Sequence, residues 1–156
     1  YWLRRREEVR DTRGKMGTGS LQQLYATYLT TRADWTRDHC ALAAAEVCQA
    51  QIGIDPIAAI RHRVIGKRES LRFLREFGDD PIEARRKIAE ELCGWIPIRV
   101  QDALPGDVGT VTTVYEGAAL EVAACRTSRG WFVRMEEGFS VVPTATRAWR
   151  VLDAAV

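Results

Sequence analysis

A chain of 156 residues fits one domain, because two independent cores sharing that length would each be marginal. At 46% hydrophobic and 28% charged residues it falls in the ordinary globular range. That excludes global disorder, and no apolar run approaches the ~18 residues of a membrane span. The net charge of +2, from 23 basic and 21 acidic side chains, is too balanced for an obvious nucleic-acid domain, although all of the basic residues except Lys15, Lys67 and Lys87 are Arg.

Residues 1–20 read as a basic arm or tail. Arg4, Arg5, Arg6, Arg10, Arg13 and Lys15 outweigh Glu7, Glu8 and Asp11, and Gly14, Gly17 and Gly19 break any helix. No apolar stretch follows the basic cluster, so no signal peptide is visible. The remaining residues, 21–156, are expected to form a single domain. A helix is expected from Ser20, with Gln23 in capping-box position and Leu21, Leu24, Tyr25, Tyr28 and Leu29 on one face. Asp38 reads as the N-cap of a second helix that runs to about Gln51 and stops at Gly53. Its Ala-rich run, apolar nearly all round, predicts burial from several directions.

Asp55-Pro56 opens a third expected helix carrying Ile57, Ile60, Val64 and Ile65. Leu71, Phe73, Leu74 and Phe77 form another helical face, closed by Gly78. Asp79-Asp80-Pro81 starts the next, which Gly94 ends. Beyond Gly94 the texture becomes that of strands: a short Pro-broken segment at 95–100, a turn at Leu104–Asp107, then β-branched runs near 108–115, 120–125, 131–135, 139–143 and 148–152. Helices followed by antiparallel strands predict an α+β fold, with the helices on one side of a β-meander. Trp35, Trp95, Trp131 and Trp149 sit at element boundaries among apolar neighbours and are expected to be buried or half-buried.

Four cysteines, Cys40, Cys48, Cys93 and Cys125, occur without a C-x-x-C pair. With only His39 and His62 beside them they give no zinc-ligand spacing, so no metal and no cofactor is expected, and reduced thiols are expected rather than a disulfide framework. Cys40 is the candidate nucleophile. It falls in the first turn of the buried helix, where the helix dipole and free backbone N–H groups favour a thiolate. Such a cysteine also needs a base. His39 is its sequence neighbour, and adjacent helical positions point about 100° apart. His62 lies between Arg61 and Arg63, and the strand half holds no histidine.

The segments Trp35-Thr36-Arg37-Asp38-His39-Cys40-Ala41-Leu42, Gly53-Ile54-Asp55-Pro56, Ala103-Leu104-Pro105-Gly106-Asp107-Val108, Glu137-Gly138-Phe139 with Val142-Pro143, and Ala148-Trp149-Arg150-Val151 together resemble the NlpC-like branch of the papain-fold superfamily. The closer likeness is to small phage and prophage tail-region proteins of that branch. The resemblance covers about residues 21–152. It implies a papain-like α+β domain with Cys40 at the nucleophile position and Asp107 as an Asx-type residue in the turn that opens the sheet. Asp38 and Trp35 become structural residues, and the base position falls near Glu121, where the family's histidine is absent. A carboxylate is too weak a base for an ordinary thiol. The expected function is therefore a degenerate, non-catalytic papain-fold module, a structural or assembly component of a phage-type tail near its tip. The alternative is an active cysteine hydrolase of cell-wall peptide or amide bonds using Cys40. The first reading implies other tail proteins as partners, met through the 1–20 arm, and an oligomer within a larger assembly. It implies no membrane and no specific nucleic acid. It also implies residence in a virion tail, or in host cytoplasm before assembly.

Overall fold

The computed structural model describes residues 21–152. The basic arm, the Ser20 cap and residues 153–156 lie outside the described residues. Among the described residues, four helices pack on one face of a six-stranded antiparallel sheet, an α+β arrangement.

Helix α1 spans residues 21–30. It buries Tyr28 and half-buries Leu21, Leu24 and Tyr25, while Leu29 faces outward. Helix α2 is Cys40–Ile52 and ends at Gly53, whose left-handed backbone places its N–H on the Gln49 carbonyl. Its small side chains let it lie close against the strands, with Ala43, Val47 and Cys48 fully covered.

Two expectations fail along this stretch. The N-cap of α2 is His39, not Asp38. The carboxylate of Asp38 is instead turned into the protein, where its Oδ1 accepts the Asp34 N–H at 2.8 Å and its Oδ2 faces Arg134 at 3.3 Å. The expected helix from Asp55 also does not form. Residues 56–60 make successive turns and Arg61–Arg63 a single 3-10 turn. The Asp55 side chain accepts the Ile57 N–H and the Nε and Nη2 donors of Arg61, which holds the turn conformation.

Helix α3 is Lys67–Arg75, with Phe73 as its buried residue. Helix α4 is Pro81–Lys87, capped by Asp80 on the Ile82 N–H and continued by a π-helical turn over Ile88–Leu92. The strands are β1 (Ile96–Ile98), β2 (Val108–Tyr115), β3 (Ala118–Thr127), β4 (Gly130–Arg134), β5 (Phe139–Val142) and β6 (Arg147–Arg150). Their order is β1-β6-β2-β3-β4-β5. Only β2 to β5 form a meander; β6 returns across the sheet to lie between β1 and β2, which corrects the simple meander expected. The β2–β3 hairpin turns at Glu116 (φ 50) and Gly117 (φ 79), two consecutive positive φ angles of the kind that suit a two-residue hairpin loop.

The register sorts side chains onto two faces. Val108, Thr110 and Thr112 lie opposite Cys125, Ala123 and Glu121 on β3, while Val108 and Thr110 lie opposite Trp149 and Arg147 on β6. This set faces the helices. The other face carries Val111, Ala124, Trp131, Val133 and Ala148, covered by Ile98, Val100 and Ala103. Gly109 is required there: a Cβ would come within 2.4 Å of the Arg147 carbonyl oxygen and 2.8 Å of the Trp131 ring.

Candidate functional site

Cys40 is the first residue of α2 and is half-buried. It lines a partly open cavity of about 220 Å³ between α2, α3, the 56–64 turns and the helix-facing side of the sheet. Ala41, Ala44 and Ala45 roof this space, Ile60, Phe73 and Trp95 wall it, and Val108, Thr110 and Ala123 floor it. The lining is mostly apolar. Cys40, His39, Thr110 and Glu121 are among its few polar residues.

The fold thus brings the two positions singled out in the sequence, Cys40 and Glu121, to one cavity across a distance of 81 residues in the chain. Neither is provided with a proton acceptor suited to thiol chemistry. Glu121 is buried, and its Oε1 takes two donors from Arg147, the Nε at 2.8 Å and Nη2. Arg147 in turn lies over the Trp149 ring at 4.9 Å and reaches the Ile82 carbonyl. Such a carboxylate is held as the acceptor in an ion pair.

His39 is spent on backbone. Its Nδ1 accepts the Ala41 N–H at 3.3 Å, as the cap of α2. Its Nε2 lies 2.7 Å from the Val64 carbonyl, a bond that requires the proton on Nε2. That pattern is the neutral tautomer with both ring nitrogens occupied. Burial, the largest influence, holds the imidazole below its ordinary pKa, against the opposing pull of the Val64 carbonyl and Asp38. The Trp35 ring lies 5.0 Å from that of His39 and shields it, and Trp35 itself is 41% exposed, so the expectation that it is buried or half-buried does not hold. His62 is exposed on the 3-10 turn and does not line the cavity.

Asp38 and Asp107 serve structure through buried ion pairs. Arg134 is fully covered; it donates to the carbonyls of Tyr28, Thr31 and Gly138 and to Asp38, lying 4.7 Å from the Tyr28 ring centroid. Asp38 therefore ties the entry of α2 to β4. Asp107 accepts the Leu104 N–H on Oδ2 at 2.7 Å and pairs with Arg150, fixing the turn before β2 to β6. Cys48 donates to the Gly106 carbonyl, and burial, with Asp55 nearby, pushes the Cys93 thiol up to about 12.

Sequence reading missed Thr110 and Arg147, while Trp149, expected to be buried, is 4% exposed. The available signal was parity: once β2, β3 and β6 are paired, Thr110, Glu121, Arg147 and Trp149 fall on the face that carries Cys125. Among the described residues, no group of three or more His, Cys, Asp and Glu is placed to hold a metal ion, and no helix is long and apolar enough to cross a membrane.

The geometry defines an α+β protein with a cysteine at a helix N-terminus above an apolar cavity. Residues 14–151 match the family described as "Domain of unknown function (DUF6950)", and the chain belongs to that family. No curated protein and no solved structure matches it.

Proposed function

We propose that this chain is a non-catalytic module with a papain-like arrangement, acting as a structural or assembly component of a phage-type tail. The observation that carries the non-catalytic part is the double engagement of His39: its Nδ1 caps α2 and its Nε2–H holds Val64. A base must have a free lone pair within reach of the thiol proton, and General-base help of that kind contributes typically ~10²–10⁴-fold. With Glu121 held by Arg147, Cys40 has neither a free imidazole nor a free carboxylate beside it among the described residues that line the cavity. The papain-like part is supported by the order of its pieces: a cysteine-headed helix, a Pro-Gly-Asp turn whose Asp107 bonds backward to Leu104, then an antiparallel sheet. The tail role rests on the resemblance of those same segments to phage tail-region proteins.

Two measurements test the reading. A peptidoglycan-digestion assay comparing wild type with Cys40→Ala is expected to show equal inactivity; activity lost on substitution makes the chain a cysteine hydrolase instead. Mass spectrometry of tail particles purified from a phage carrying this gene is expected to find the chain at fixed stoichiometry. Its absence from intact particles would refute the tail role.

A further inference from the structure

The cavity lining carries one cation in excess. Its ionisable residues are His39, Cys40, Arg85 and Glu121. His39 is neutral and committed to backbone, and Glu121 is paired with Arg147. Arg85, on α4, is half-buried and makes no hydrogen bond or ion pair among the described residues. The arginine beside it differs: Arg86 donates through Nε to Glu83 at 3.0 Å and lies 3.7 Å from Glu90. Local carboxylates are therefore present on α4, and they serve the neighbour.

The rest of the lining is mostly apolar. About 220 Å³ remains between Ala44 and Ala45 of α2 and the opposing Phe73, Ile88 and Trp95. An apolar cavity of roughly 150 Å³ already takes up benzene, so a ring or a medium-length alkyl chain has room here. Two further lining residues, Trp35 and Leu71, are 41% and 39% exposed and put apolar surface on the open side. Apolar space with one partnerless guanidinium is complementary to an amphiphile with one negative charge. The planar guanidinium matches a carboxylate bidentately, and the arginine stem can lie along apolar surface.

We propose that the cavity binds a small amphiphilic carboxylate, with its apolar body against the alanines of α2 and its carboxylate on Arg85. Half-burial of Arg85 leaves the head group part of its hydration, so the heavy cost of a fully desolvated ion pair is avoided. The Glu121 carboxylate, neutralised by Arg147, does not repel the anion as a free carboxylate would. This goes beyond the proposed tail role and does not depend on it, because binding is read without turnover and outside any particle.

Octanoate, octanol and octylammonium share one tail and differ in charge. Each is titrated into the isotope-labelled chain and followed by backbone amide shifts. Octanoate is expected to move the amides of Ala44, Ala45, Ile88 and Ala123 and to bind more tightly than the other two. Arg85→Gln is expected to weaken octanoate about tenfold and leave octanol unchanged, whereas Arg85→Lys keeps most of the octanoate affinity. Arg86→Gln, at the arginine already held by Glu83, is expected to change nothing. Ala44→Leu is expected to weaken every probe that binds. The proposal is overturned by no shifts up to the solubility limit, by shifts confined to residues outside the cavity, or by octanol or octylammonium binding as tightly as octanoate. It is equally overturned by unchanged octanoate affinity in Arg85→Gln, or by an equal loss in Arg86→Gln, which would assign the effect to general surface charge.

Discussion

The two flanks of helix α2 are built on different rules. Toward β4 and β5 the packing is aromatic and continuous: Phe132 lies among Tyr25, Tyr28 and Phe139, with ring centroids 5.4 to 5.9 Å away, and the buried Arg134 locks the same region through acceptors on α1, the loop before α2 and the β4–β5 turn. Toward β2, β6 and α3 the same helix lines the cavity with Cys40, Ala41, Ala44 and Ala45, and space is left between them and Trp95, Phe73 and Thr110. One flank anchors the fold, and the other leaves room beside Cys40. The difference teaches that the small residues of α2 do two jobs: at Ala43 they allow close approach, and at Ala44 they leave a gap.

The largest expected effect lies on the packed flank. Phe132→Ala should cost ~3–5 kcal/mol, measured by chemical denaturation, because the ring is fully enclosed by others and the site cannot collapse. A loss below about 1 kcal/mol would erase the distinction between the flanks. Adjacent substitutions on one helix sharpen it. Ala43→Leu forces bulk into a closed site and should cost ~1–3 kcal/mol or more, whereas Ala44→Leu extends into the cavity and should cost less than ~1.5 kcal/mol. Equal costs would mean that the gap is not available to side chains.

A smaller effect is expected at the junction of the flanks, where His39 joins α2 to the 61–66 turns. Its folded pKa lies below its ordinary value of about 6.5, mainly through burial. The unfolded chain therefore binds a proton that the folded chain resists. Stability from neutral His39 is complete above about pH 6.5 and is lost as pH falls from there toward the folded value. The melting temperature should drop between pH 7.5 and 5, and His39→Asn, which keeps a capping oxygen, should flatten that slope. An identical slope in the variant would place the pH dependence elsewhere. The smallest effect is expected from Cys40→Ala. A half-buried thiol at the cavity edge leaves little behind, and the melting temperature should change by less than a shift of ~1 kcal/mol would give.

How much of this was legible in the sequence follows from the range of the interactions. Asp80-Pro81 announced α4 because cap and first-turn proline act within four residues. The β2–β3 and β4 strands were legible from β-branched runs and Gly-containing turns for the same reason. The N-terminal cap of α2 falls on His39 although Asp38 is the better local cap, because the Asp38 carboxylate is engaged by Arg134, 96 residues away. Ile57, Ile60 and Val64 have spacing that a helix and successive turns can share, and the Asp55 side chain decides for turns. The return of β6 between β1 and β2 is a long-range pairing that no local pattern encodes. Cys40 and Glu121 were found individually, but the cavity that joins them is a gap, and gaps have no residue of their own.

The central claim is that Cys40 stands without a base because His39 is committed to the backbone. Long-range proton–nitrogen NMR of the imidazole in wild type and in Cys40→Ala tests it most directly. The expected result is a neutral ring at pH 7, protonated on Nε2, with the same titration in both proteins. An imidazolium at pH 7 whose signals and titration change when the thiol is removed would contradict it, since that coupling is the mark of a working cysteine–histidine pair.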